Sequence, residues 1–152
     1  MIEFDNSLFT HVEEMDEQHM KLVELLNNTY ELLKEGKKEE AALLFERELL
    51  AYVEHHLSKE ENFLEKIGYP ELEQHRKLHE LFRREIYNLA PHVENGDPKA
   101  FREALALAWG WLYNHIAKTD KKYGIYAKEK GNWKRRILQL YKLKKNYWDF
   151  SL

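Results

Sequence analysis

Eight histidines carry most of the chemistry open to this sequence: His11, His19, His55, His56, His75, His79, His92 and His115. His56 and Glu60 stand four apart in HLSKE, and His75 and His79 stand four apart in HRKLH. Residues four apart in a helix share a face about 6 Å apart, so both members of such a pair reach one metal ion. His115 is followed by Asp120 in HIAKTD. A lone HxxxH in a charged helix is ordinarily a solvated pair. The case for a metal site therefore rests on convergence.

The elements that would produce convergence are helices. Met15, Leu22, Leu25, Leu26, Thr29, Leu32 and Leu33 recur at three- and four-residue steps, which predicts a first helix from an Asp16 N-cap to Gly36. A second is expected from about Glu39 to Lys66, ended by Gly68. A third starts at Pro70 and runs to about Leu89, where Pro91 ends or kinks it. The turn NGDP supplies Asp97 as N-cap and Pro98 as first residue of a fourth helix, reaching Lys118 to Lys121. Gly124 and Gly131 bracket a looser segment, and Asn132 caps a fifth helix. Short connections make sequential helices antiparallel. The fold class expected is all-α: an up-down-up-down four-helix bundle with an additional C-terminal helix. Residues 1–126 form the bundle and 127–152 an extension packed on or beside it.

In that topology His19, His56, Glu60, His75, His79, His115 and Asp120 fall in one slab at one end, at 1.5 Å of rise per residue. Every helix contributes. Five imidazoles and two carboxylates exceed the four donors of a zinc ion. They suit two octahedral metals bridged by the carboxylates, with positions left for a bridging oxygen and an outside ligand. A thiolate-free N/O set suits iron. Residues five apart point about 140° away from each other in an ideal helix, so a departure from α geometry is expected at 116–121 if both His115 and Asp120 are ligands.

Composition excludes much else. The chain has 152 residues and no cysteine, so disulfides, thiolate metal sites and a cysteine nucleophile are out. Six glycines and three prolines are too few for a many-turned β fold. No phosphate loop, GxSxG or HExxH occurs. From Gly131 onward six basic residues face one acid, net +5; the whole chain is −3, so the first 130 residues carry −8. An acidic body does not suggest nucleic acid. No secretory signal or membrane span is visible, and a cytoplasmic protein is the expectation.

MDEQHMKLVELLN (15–27), HLSKEE (56–61), GYPELEQHRKLH (68–79) and WLYNHIAKTDKKY (111–123) resemble hemerythrin and the bacterial hemerythrins across about residues 10–125. The resemblance implies one iron held by His75, His79 and His115 and a second by His19 and His56. Glu60 and Asp120 would bridge both, together with an oxo or hydroxo group. It also implies O2 pocket walls at Leu22, Leu57, Phe82, Trp111, Leu112 and Ile116, with Leu22, Leu57 and Ile116 nearest the ligand-poor iron. Two departures stand out. Phe4 and Phe9, not a tryptophan, precede the first ligand, and Leu57 stands where family members commonly carry Phe.

The function expected is reversible O2 binding for storage, transport or sensing rather than enzyme catalysis. The alternative is a di-iron redox enzyme acting on NO or peroxide. His11, His55 and His92 read as surface residues, and Tyr123 as packing near the site. The tail carries Trp133, Ile137, Leu140, Tyr141 and Trp148 largely on one side. Docking on the acidic body is its plain reading; a protein partner, a second copy or an anionic membrane is the sharper one.

Overall fold

The computed structural model describes the backbone of residues 3–150, with side chains through residue 131 and at Arg135, Leu138, Gln139, Leu140 and Lys142. Among the described residues every regular element is helical. A 3-10 turn, Asn6–Leu8, precedes α1 (Glu13–Lys34), α2 (Lys38–Leu44), α3 (Leu50–Lys66), α4 (Leu72–Glu94), α5 (Pro98–Asn114) and α6 (Lys121–Phe150). Wide π-helical turns, Phe45–Leu49 and His115–Asp120, join α2 to α3 and α5 to α6. Helix α4 packs along α5 and against α3, and α1 touches α2, α3 and α5. No described helix is long and apolar enough to cross a membrane.

The helix ends follow the glycines. Gly68 adopts φ 66°, where a side chain would be strained, and closes α3 with two bonds: Gly68 N–H to Glu65 O at 3.1 Å and Tyr69 N–H to Leu64 O at 2.9 Å. The same pair of bonds ends α1 at Gly36 and α4 at Gly96. Asp97 caps α5 by accepting from Lys99 N–H at 3.0 Å and Ala100 N–H at 3.4 Å.

Several expected boundaries move. Helix α1 begins at Glu13, three residues before Asp16. Asp16 is buried and turns its carboxylate back on the preceding chain, taking Thr10 N–H and Thr10 Oγ1–H at 2.8 and 2.7 Å and His11 N–H at 3.0 Å. It anchors the N-terminal arm through a bend where His11 has φ 65°. Pro70 lies in a turn and α4 starts at Leu72. Pro91 sits inside α4, which continues to Glu94. Pro91 has no N–H to give the carbonyl of Tyr87, and Tyr87 is an exposed residue. The looser segment at Gly124 to Gly131 and the helix start at Asn132 are absent: α6 runs through both glycines. Of the tail stripe, Leu140 is exposed; the side chains of Trp133, Ile137, Tyr141 and Trp148 lie outside the described residues.

The two π turns have one cause. Ala41, Phe45, Leu49 and Val53 are all buried at four-residue steps. A four-residue step overshoots an α turn of 3.6 residues, so such a run drifts off its face unless one turn is wider. Phe45–Leu49 is that turn. Ala104, Ala108, Leu112, Ile116 and Asp120 repeat the pattern, and His115–Asp120 absorbs the drift.

Gly124 is required for a close approach. A Cβ there would collide with the Thr10 carbonyl, whereas one at Gly110 in α5 meets nothing within 4 Å. Gly124→Ala should lower stability to urea by about 1–3 kcal/mol through overpacking against backbone. Gly110→Ala should raise it by about 0.5–1 kcal/mol, the helical cost of glycine. Equal unfolding midpoints for the two variants would refute this account of the arm.

Candidate metal centre

The apolar interior is in two parts. The larger contains Leu22, Leu57, Phe82, Leu112 and Ile116; the smaller is Met15, Leu64, Tyr69 and Tyr123. Along the chain, polar residues fall between members of the two. His19 lies between Met15 and Leu22, Glu60 between Leu57 and Leu64, His75 and His79 between Tyr69 and Phe82, Asp120 between Ile116 and Tyr123. The result is a polar layer sealed above and below by hydrocarbon.

All seven residues singled out by spacing meet in that layer, and each is at most 5% exposed. They form two sets of donor atoms, each within 4.8 Å of one another: Glu60, His75, His79 and His115, and His19, His56, Glu60 and Asp120. In the first, His79 Nε2 lies 3.0 Å from His115 Nε2, which lies 3.2 Å from His75 Nε2. Glu60 Oε1 is 2.6 Å from His75 Nε2 and 3.1 Å from His79 Nε2. Asp120 Oδ1 is 2.9 Å from His115 Nε2 and 3.3 Å from His75 Nε2. In the second, Glu60 Oε2 is 3.3 Å from both His19 Nε2 and His56 Nε2, and Asp120 Oδ2 is 3.1 Å from His19 Nε2. Each carboxylate thus turns one oxygen to each set.

This geometry is poorly served by hydrogen bonds. Three imidazoles aim the same nitrogen at one point, and each neutral ring has one proton for two nitrogens. Both Asp120 oxygens are buried without an aligned hydrogen-bond partner despite their close nitrogens. The separations between nitrogen and oxygen donors run from 2.6 to 3.7 Å, close enough for the donors of each set to share one ion. The residues fit metal held by nitrogen and oxygen.

The electrostatics agree. Burial disfavours the imidazolium of His19, yet contact with Asp120 and Glu60 prevails and raises it to about 9. The same contest raises His75 to about 9 and His115 to about 10. At His56 burial wins and the ring is lowered. Burial also opposes the Glu60 carboxylate, but His115, His19 and His56 hold it well below its usual range. A field that draws protons onto buried imidazoles draws a metal cation onto the same atoms.

Some participants were not legible as such. Gln18 is buried and its Oε1 lies 2.7 Å from His56 Nδ1. Tyr123 is fully buried and its hydroxyl donates to Glu60 Oε2 at 2.9 Å, more than the packing expected of it. Burial and then the charges of Glu60 and Asp120 push that phenol well above its ordinary value. Glu61 brings Oε2 within 3.6 Å of His79 Nδ1, and Arg83 holds it at 2.9 Å while also gripping Glu54. Sequence adjacency was the available signal: Gln18 precedes His19, and Glu61 follows Glu60.

Of the residues expected to wall a pocket, Leu22, Leu57, Phe82, Leu112 and Ile116 are buried in the larger core. Trp111 is half-buried, stacked between His115 at 4.2 Å and Phe82 at 4.1 Å. His11, His55 and His92 are exposed.

A buried, carboxylate-bridged nest of imidazoles inside a helical protein defines a cation-binding helical domain. The family model described as the hemerythrin HHE cation binding domain matches residues 10–125. The chain belongs to the hemerythrin family. It is 32% identical over 117 residues to a bacteriohemerythrin of Clostridium acetobutylicum, covering 74% of this chain and 90% of that protein. A bacteriohemerythrin of Pseudomonas aeruginosa is 28% identical over 146 residues, 90% of this chain and 94% of the relative. Another from Campylobacter jejuni is 32% identical over 119 residues, 76% of this chain and 87% of that relative. Membership of the family implies non-heme iron.

Tyr123→Phe removes one donor to a buried carboxylate and should cost the metal-free protein about 1.5–3 kcal/mol in urea unfolding. An unchanged midpoint would mean the hydroxyl does not support Glu60.

Proposed function

We propose that this chain binds O2 reversibly at a pair of iron ions set in an antiparallel up-down-up-down four-helix bundle, with residues 127–152 as an extension of that unit. The observation that carries the reading is the division of Glu60 and Asp120, each with one oxygen toward each imidazole set. In this reading His75, His79 and His115 hold one iron, His19 and His56 hold the other, and the two carboxylates bridge.

The iron pair supplies the electrons needed to bind O2. The chain would supply inequality: with His75, His79 and His115 on one side and His19 and His56 on the other, a second ion would be held by one imidazole fewer. Two carboxylates, against the four of ferritin-like centres, favour the reduced metal and return of O2 intact. Hydrocarbon on both sides of the polar layer excludes the water and protons that promote oxidation. In this reading Leu22, Leu57 and Ile116 would wall the ligand-poor ion, and Phe82, Trp111 and Leu112 would complete the pocket, with Trp111 stacked on His115.

Iron analysis should give two per chain. The anaerobically reduced protein should develop a visible band on O2 titration that disappears under vacuum and returns. Turnover of NO or peroxide well above free iron would replace the carrier by the redox-enzyme reading. Many irons per chain would make it a store. Leu57→Phe should narrow the pocket and slow autoxidation; a rate equal to or above the parent's would remove Leu57 from the wall.

A further inference from the structure

Among the imidazoles of the metal layer, His56 differs in what meets its far nitrogen. His19 Nδ1 and His79 Nδ1 are buried without a hydrogen-bond partner. His56 Nδ1 faces Gln18 Oε1 at 2.7 Å, well within hydrogen-bond range, and both side chains are buried. Gln18 reaches it from α1 and His56 stands on α3, so the contact crosses between helices. Near His79 the corresponding group is the carboxylate of Glu61, but it stands at 3.6 Å, held by Arg83.

A neutral imidazole has one proton and two places for it. On Nε2 it would point at Glu60 Oε2, 3.3 Å away, and that nitrogen could not bind metal. An acceptor at Nδ1 selects the other tautomer. The side-chain oxygen of Gln18 is such an acceptor, and it is uncharged, so it orients the ring without adding negative charge to the layer. The ring also leans on its neighbour: His19 and His56 meet edge to face with centroids 4.6 Å apart.

We propose that Gln18 is the positioning residue of the ligand-poor metal site, holding the Nδ1 proton of His56 so that Nε2 stays bare and aimed at the ion shared with His19. This rests on the two-metal reading above and adds a residue to it. Gln18 touches neither metal nor O2; it acts through His56.

Anaerobic Fe(II) titration tests it. The parent should take up two ions in two steps. Gln18→Leu should weaken one step by about 10–100-fold, the usual effect of losing a partner behind a ligating histidine, and leave the other step within about twofold. Gln18→Glu keeps an acceptor and should keep both steps. An unchanged Gln18→Leu, or one that loses both steps equally with a lowered melting temperature of the metal-free protein, overturns the proposal. A second readout needs no variant: in the Zn(II)-loaded parent, nitrogen NMR of labelled histidine should place the His56 proton on Nδ1. Finding it on Nε2 overturns the proposal. A parent that takes up a single Fe(II) would overturn the two-metal reading itself, and the proposal with it.

Discussion

Two carboxylates and five imidazoles are buried together, and the rest of the molecule answers to that cost. Moving an unpaired carboxylate out of water is expensive, and hydrogen bonds among like donors do not compensate it. Here Asp120 keeps both oxygens without an aligned partner while Glu60 is embedded among imidazoles and one phenol. Apolar plugs above and below bar water from doing the work. Cations bound among these donors would satisfy the groups at once. Metal binding and stability are thereby joined: an ion that satisfies these groups also stabilises the fold.

The demand reaches the backbone. Holding a helix face over many turns with four-residue steps is incompatible with uniform α geometry, and the chain resolves this with two wide turns. One sets α2 in phase with α3, so that Ala41 and Phe45 share the interior with His56 and Glu60. The other carries His115 and Asp120 themselves, and brings a nitrogen and an oxygen five residues apart within 2.9 Å. Their continuation into α6 puts Tyr123 against Glu60 and seats Gly124 under the Thr10 carbonyl. The arm held by Asp16 and the donor to the shared carboxylate thus meet on one turn of α6.

The groups behind the ligands give the two sets different surroundings. His56 leans on a neutral amide at close range, while the carboxylate near His79 is restrained by Arg83, itself tied to Glu54. Trp111 lies flat on His115 and fixes the plane of that ring. Under the proposed two-iron reading, the inequality of the two sites would be written around the imidazoles as well as in their number.

Spacing alone revealed the helical class, the glycine-ended helices, the seven polar residues of the layer and the break from α geometry near His115, because these are local consequences of period, turn chemistry and side-chain reach. Asp16 as an arm anchor, Pro91 inside α4, the unbroken α6 and the wide turn at Phe45–Leu49 depended on what packs against them, and a pattern along one segment holds no record of its neighbours. The same holds for Gln18 and Tyr123. A buried amide and a buried phenol look like any others in a sequence, and only folding decides which carboxylate or imidazole each will face.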